Sequence, residues 1–148
     1  MILLPYTAVA ALFVIAVIDV RTQKIPDSLN LLLLLFGVIA VFMRGGLDIF
    51  GLALGIGVIG GQWLISRGKA MGSGDVFLMI GISLLLPQLS FMILTLLVAY
   101  ISAACVALFL LLTGRMKMAG RMPFAPFLVL GAATAILFGG TITTKFGT

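Results

Sequence analysis

The sequence predicts an all-α integral membrane protein of about six transmembrane helices with short loops. Three observations carry this. Mean hydropathy is +1.36, and 63% of the 148 residues are hydrophobic. Apolar runs recur along the whole chain, so spans use up most of it and leave no room for a separate soluble domain. The nine Lys and Arg are scattered through the connections. That is the usual pattern beside anionic lipid, and it does not point to nucleic acid.

A helix needs roughly 17–25 apolar residues to cross the hydrocarbon. Residues 2–18 form the first run. Ala8-Val9-Ala10 resembles a signal-cleavage site, but no basic region precedes it and the run continues past it, so it reads as a retained first span. The second run, 29–43, is somewhat short. The third, 47–65, carries Gly51, Gly55, Gly57, Gly60 and Gly61, as closely packed membrane helices do. Residues 76–113 are too long for one span and are interrupted only at Pro87-Gln88. The last run is 124–142. Cys105 lies within an apolar run, where it serves packing and cannot form an internal disulfide.

Loop charge decides how the long stretch divides. Split at Pro87, six spans put Arg21, Lys24, Arg67, Lys69, Arg115, Lys117 and Arg121 on one side and leave Arg44 and Lys145 on the other, seven against two. A five-span chain gives four against five, which is no bias. Six spans are therefore expected. Both termini then lie outside, and residues 21–28, 66–74 and 114–122 face the cytoplasm.

The chain has four acids, all aspartate, and no histidine. With six spans, Asp19 ends the first span and Asp75 begins the fourth, both at cytoplasmic ends. A carboxylate there is costly, so its default meaning is functional. Asp48 lies on the opposite side and reads as a solvated loop residue. Asp27 follows Pro26 and is expected to cap the second span. Capping is also an alternative for Asp75. It is less so for Asp19, since the dipole disfavours an anion at a helix C-terminus.

What is missing narrows the chemistry. Without His there is no Ser-His hydrolase and no His-based zinc site, and one Cys adds no ligand set. Lys69 and Ser73 have the spacing of a Ser-Lys dyad, but Gly72 and Gly74 interrupt it and Lys69 belongs to a basic loop. Two aspartates suffice for peptide hydrolysis. A close pair shares one proton; one member activates water and the other assists the carbonyl oxygen and the leaving amine. Gly72 and Gly74 are expected to let the backbone turn and a substrate strand approach. No metal or cofactor is expected.

Three segments resemble the type IV prepilin peptidases: Asp19-Val-Arg-Thr-Gln-Lys-Ile25-Pro26-Asp27, the G-x-G-D segment Gly72-Ser-Gly-Asp75, and Pro123-Phe-Ala-Pro126-Phe. G-x-G-D alone is weak and is shared with presenilins; the three in family order are fairly specific. The resemblance implies an aspartic endopeptidase of the inner membrane. Its active site would lie at the cytoplasmic face and cut the short cationic leader from pilin-like precursors. Asp19 and Asp75 fall on the family's catalytic positions, and Gly72, Gly74, Pro26 and Asp27 are the candidate substrate-binding positions. The full-length bacterial enzymes carry a Cys-x-x-Cys region and an N-methyltransferase activity. This chain is similar instead to the short, peptidase-only members of tight-adherence pilus systems or archaea, with residues 1–148 as one transmembrane domain.

Two positions depart from the family: Phe77 stands where Lys is usual, and Asp27 where Asn is usual. Asp27 is also the one further acid able to offset the basic surface that a cationic leader would meet. The alternative classes are a small proton-coupled transporter with Asp19 and Asp75 as a relay, and a non-enzymatic membrane subunit. Transporters usually hold carboxylates near the midplane and show repeated halves, and no repeat is visible here.

Overall fold

Each apolar run is helical, and the long one forms two helices. The computed structural model describes the backbone of residues 3–22, 26–69, 71–86, 88–114 and 122–146, and the side chains of those from 7 to 138. The helices are α1 (Leu3–Thr22), α2 (Asp27–Arg44), α3 (Ile49–Ile65), α4 (Ser73–Leu85), α5 (Leu89–Leu112) and α6 (Ala125–Phe146), with no strand among the described residues. Lys24, Ile25, Pro87, Arg115, Lys117, Arg121 and the side chain of Lys145 lie outside the described residues.

The long run divides where expected. Leu86 leaves the helix with ψ 136, the extended conformation forced on a residue that precedes proline. Among the described residues, two helices, α2 and α5, are by themselves long and apolar enough to cross a membrane. Large apolar side chains cover the outside: Phe42, Phe50, Ile65 and Leu112 are each more than three-quarters exposed. Water would penalise so much contiguous apolar surface, whereas hydrocarbon accepts it.

The interior is built from residues such as Leu12, Leu33, Ile59, Leu78, Ile82 and Leu128. Helices α2 and α4 pack along each other, as do α5 with α6, α1 with α6, and α3 with α4. The α2–α4 seam depends on the absence of side chains. A methyl group at Gly37 would stand 2.6 Å from Leu84 Cβ, and one at Gly81 would stand 2.9 Å from Leu33 Cγ. Small residues let two helix backbones approach, which is the usual basis of close helix packing in membranes.

Hydrogen bonds pin both ends of this seam and show that the two helices run parallel. At one end, Asn30 of α2 donates to the Gly74 carbonyl of α4. At the other, the Arg44 guanidinium donates to the carbonyls of Leu85 (3.2 Å) and Leu84. Helix α4 has 13 residues, about 20 Å, and its last carbonyls have no partner within the helix. Arg44 supplies one. This explains why one of the two basic residues against the charge bias sits where it does. Arg44→Leu is expected to lower the unfolding free energy in detergent by about 1–3 kcal/mol, seen as a lower midpoint, with Arg44→Lys in between because lysine lacks the planar fork. An unchanged midpoint for the leucine variant would show that water caps α4 equally well.

Asp48 is not merely a solvated loop residue. It occupies the N-cap of α3, and its Oδ1 accepts the Phe50 N–H at 3.1 Å. An aspartate just before a helix satisfies a donor that has no helical partner.

Candidate active site

Four helix ends meet at one end of the bundle: the C-terminus of α1 and the N-termini of α2, α4 and α6. The Asn30–Gly74 bond joins α2 to α4. The backbone N–H of Ala125, the first residue of α6, points at the Asp19 carboxylate of α1. Asp19 lies near enough to act on the charge of Asp75. The two aspartates that loop charge assigns to one side therefore converge, on helices that α2 and α6 both help to hold.

Asp75 is the third residue of α4 and only 8% exposed. The N-cap is Gly72, which has no side chain with which to cap. The Asp75 Oδ2 reaches back instead and accepts the Gly72 N–H at 3.3 Å. This bond and the first-turn position both favour a carboxylate. The capping role and the burial coexist in one side chain.

Asp19 lies in the last turn of α1 and is 5% exposed. The dipole of its own helix disfavours it there. The N-terminus of α6 compensates, by both the Ala125 N–H and the opposite dipole end. The sequence Pro123-Phe-Ala-Pro126 fits this task. Pro126 stands in the first turn, where its missing N–H is no loss, and the chain folds into α6 just beside Asp19. The second oxygen of Asp19, Oδ2, is buried with no hydrogen-bond partner.

The other expected residues are placed less centrally. Pro26 is the N-cap of α2 and Asp27 its first residue; both are exposed. No side-chain bond caps this end, so the capping expected of Asp27 is not found. Its charge still lies in the first turn, where the dipole favours it. The turn expected of the glycines is not found either. Gly72 has φ −76 and ψ 154, which any residue adopts, and Gly74 lies within α4. A methyl group at Gly72 would stand an ordinary 3.9 Å from Asp75 Oδ2. Phe77, in the position of the family's usual lysine, is half exposed.

Asn30 was not singled out in the sequence. It is 4% exposed; its Nδ2 donates to the Gly74 carbonyl at 3.4 Å, and its Oδ1 has no partner. The signal was one amide amid Leu29 and Leu31 to Leu35. A polar residue in such a run requires a partner or a task.

Comparison with known proteins gives the family. Residues 6–110 match the model of the type IV leader peptidase family, a stretch that includes Asp19, Asn30 and Asp75 but not Ala125. The chain is 34% identical to proteins named prepilin leader peptidase/N-methyltransferase from Burkholderia pseudomallei strains 1026b and K96243. The similarity covers 88% of this chain and 44% of each of those proteins, so the chain spans less than half of their length. No solved structure matches.

Proposed function

The chain belongs to the type IV leader peptidase family, and from that premise we propose that it is an aspartic endopeptidase that removes the leader of a pilin-like precursor at the cytoplasmic face of the inner membrane. The observation that carries this is the convergence of Asp19 and Asp75, two buried carboxylates on separate helices, at one end of an apolar bundle.

The two carboxylates share one proton. The ionised one takes a proton from a water, whose oxygen bonds to the carbonyl carbon of the scissile peptide. The protonated one gives its proton to the developing oxyanion. As the intermediate collapses, the C–N bond breaks, the amine leaves with the proton taken from water, and the oxygen returns its proton to the second aspartate. The products are a free carboxyl on the leader and a free amine on the mature protein, and the dyad regains its starting proton count. Asp75, held by the Gly72 N–H, has the fixed carboxylate. Asp19 Oδ2, which has no partner within the fold, is the oxygen that would hold the water. Gly72 and Gly74 leave space above Asp75 for an extended substrate strand, and Pro26 and Asp27 lie at the rim. The precursor's apolar helix stays in the bilayer.

The direct test uses the purified chain in liposomes with a precursor of cationic leader, Gly and apolar helix. Intact-mass analysis should find the released leader and the shortened product. Proton-driven solute uptake with no cleavage would favour the transporter instead. Nothing in the fold recommends that class, because the carboxylates lie at one end and not midway.

The six helices are proposed to be six spans, with the aspartate end inside. In a Cys105→Ala background, single cysteines placed at Arg67 and Lys69 should react only after the membrane is permeabilised, and one at Gly45 or Gly46 should react from outside. Labelling of both ends from one side would exclude this topology.

A further inference from the structure

We propose, on the basis of the peptidase function above, that Asn30 is a substrate-binding residue whose free Oδ1 accepts a main-chain N–H of the precursor beside the scissile bond. Among the described residues, two buried side-chain atoms have no hydrogen-bond partner: Asp19 Oδ2 and Asn30 Oδ1. Both are acceptors, and both lie at the end where Asp75 is held. Asp19 Oδ2 has a task in hydrolysis. Asn30 Oδ1 has none within the fold.

A purely structural Asn30 does not account for this atom. Joining α2 to the first turn of α4 needs only Nδ2 and the Gly74 carbonyl. A buried acceptor left alone is unfavourable, and natural structures keep few of them. The position is also closely packed. The Leu33–Gly81 and Gly37–Leu84 contacts follow it along the seam, and Arg44 closes the far end. With Nδ2 bonded to Gly74, Oδ1 is the atom left to accept.

An extended substrate supplies the missing donor. A strand entering from a membrane carries main-chain N–H groups that lose water and need acceptors. A strand over Gly74 and Asp75 passes the amide that already binds Gly74. Both free oxygens are closed off in this arrangement, so a donor reaches them as the helix ends part to admit the strand.

The test measures binding separately from cleavage. A fluorescent precursor peptide is titrated into the detergent-solubilised Asp19→Asn chain, which retains Asn30 but should not cut. A series of peptides replaces one main-chain amide at a time by an ester on either side of the cut, which removes that N–H alone. One ester position should weaken binding about tenfold, the size expected when one buried polar partner is lost. Asn30→Leu should weaken the parent peptide by a similar factor and then be indifferent to that ester. In the active chain, Asn30→Leu should raise KM more than it lowers kcat. An ester series with no position-dependent loss overturns the proposal without using any variant, as does an equal ester penalty with Asn30 and with leucine. If the parent peptide is neither bound nor cut, the peptidase function itself falls and this assignment falls with it. If cleavage is normal and the ester series is flat, only this assignment falls.

Discussion

Asp19→Asn and Asp75→Asn are each expected to abolish precursor cleavage while leaving the protein folded and inserted. The structure makes asparagine the discriminating substitution. Its side-chain oxygen can still accept the Gly72 N–H that Asp75 accepts at 3.3 Å, and the Ala125 N–H that faces Asp19. Both structural duties therefore survive. The ability to hold and move a proton does not. General acid–base groups are worth roughly 10²–10⁴-fold each, and members of one catalytic unit do not add. The double variant should thus be scarcely slower than either single one. Asp48→Asn, which caps α3 at the other end and can cap equally well as asparagine, should cut normally. The measurement is leader removal from a co-expressed precursor, followed as a gel shift at matched membrane levels. Substantial activity in either single variant would remove that aspartate from the chemistry and leave it a capping residue.

The second large effect is expected at Gly131 in α6. A methyl group there would collide with the backbone carbonyl of Thr95 in α5. Main chain meets main chain, so no side chain can rotate aside and the two helices must separate. Overpacking of this kind typically costs about 1–3 kcal/mol, which outweighs the gain of up to about 1 kcal/mol that alanine brings to a helix. Gly131→Ala should lower the thermal midpoint in detergent, and Gly131→Val more so. Gly57→Ala is the control, because nothing lies within 4 Å of a methyl group there. It should be neutral or slightly stabilising. Because α6 also carries Ala125 to Asp19, the Gly131 variants should lose activity along with stability. Equal midpoints for the alanine variants at 131 and 57 would show that α5 and α6 separate without cost.

Hydropathy and loop charge could identify the helical segments because both act locally. An apolar run must shed water wherever it goes, and a proline at 87 forces the residue before it out of the helix whatever surrounds it. The family match over residues 6–110 agrees with the family resemblance read from the sequence. Asp19 and Asp75 stood out for the same local reason: a carboxylate among apolar neighbours has few uses other than chemistry. Partner identity was not legible in this way. The Pro-Phe-Ala-Pro segment gave no hint that Ala125 would face Asp19. Asn30 looked like a lone amide in a leucine run until it met Gly74, 44 residues away. Arg44 looked like a stray charge until it met the end of α4. The turn expected at Gly72 and the cap expected of Asp27 were inferred from residue type, and the fold used neither.

What the sequence determined by itself was the number of helical segments, their boundaries within a turn or so, and two carboxylates at matching ends. Each of these follows from the transfer of groups out of water, which depends on the residue and its immediate neighbours. Only the tertiary structure decided which donor meets which acceptor at the helix ends. Those pairings join residues far apart in the chain, and they form only once close contacts at Gly37, Gly81 and Gly131 have set the helices at their final separation.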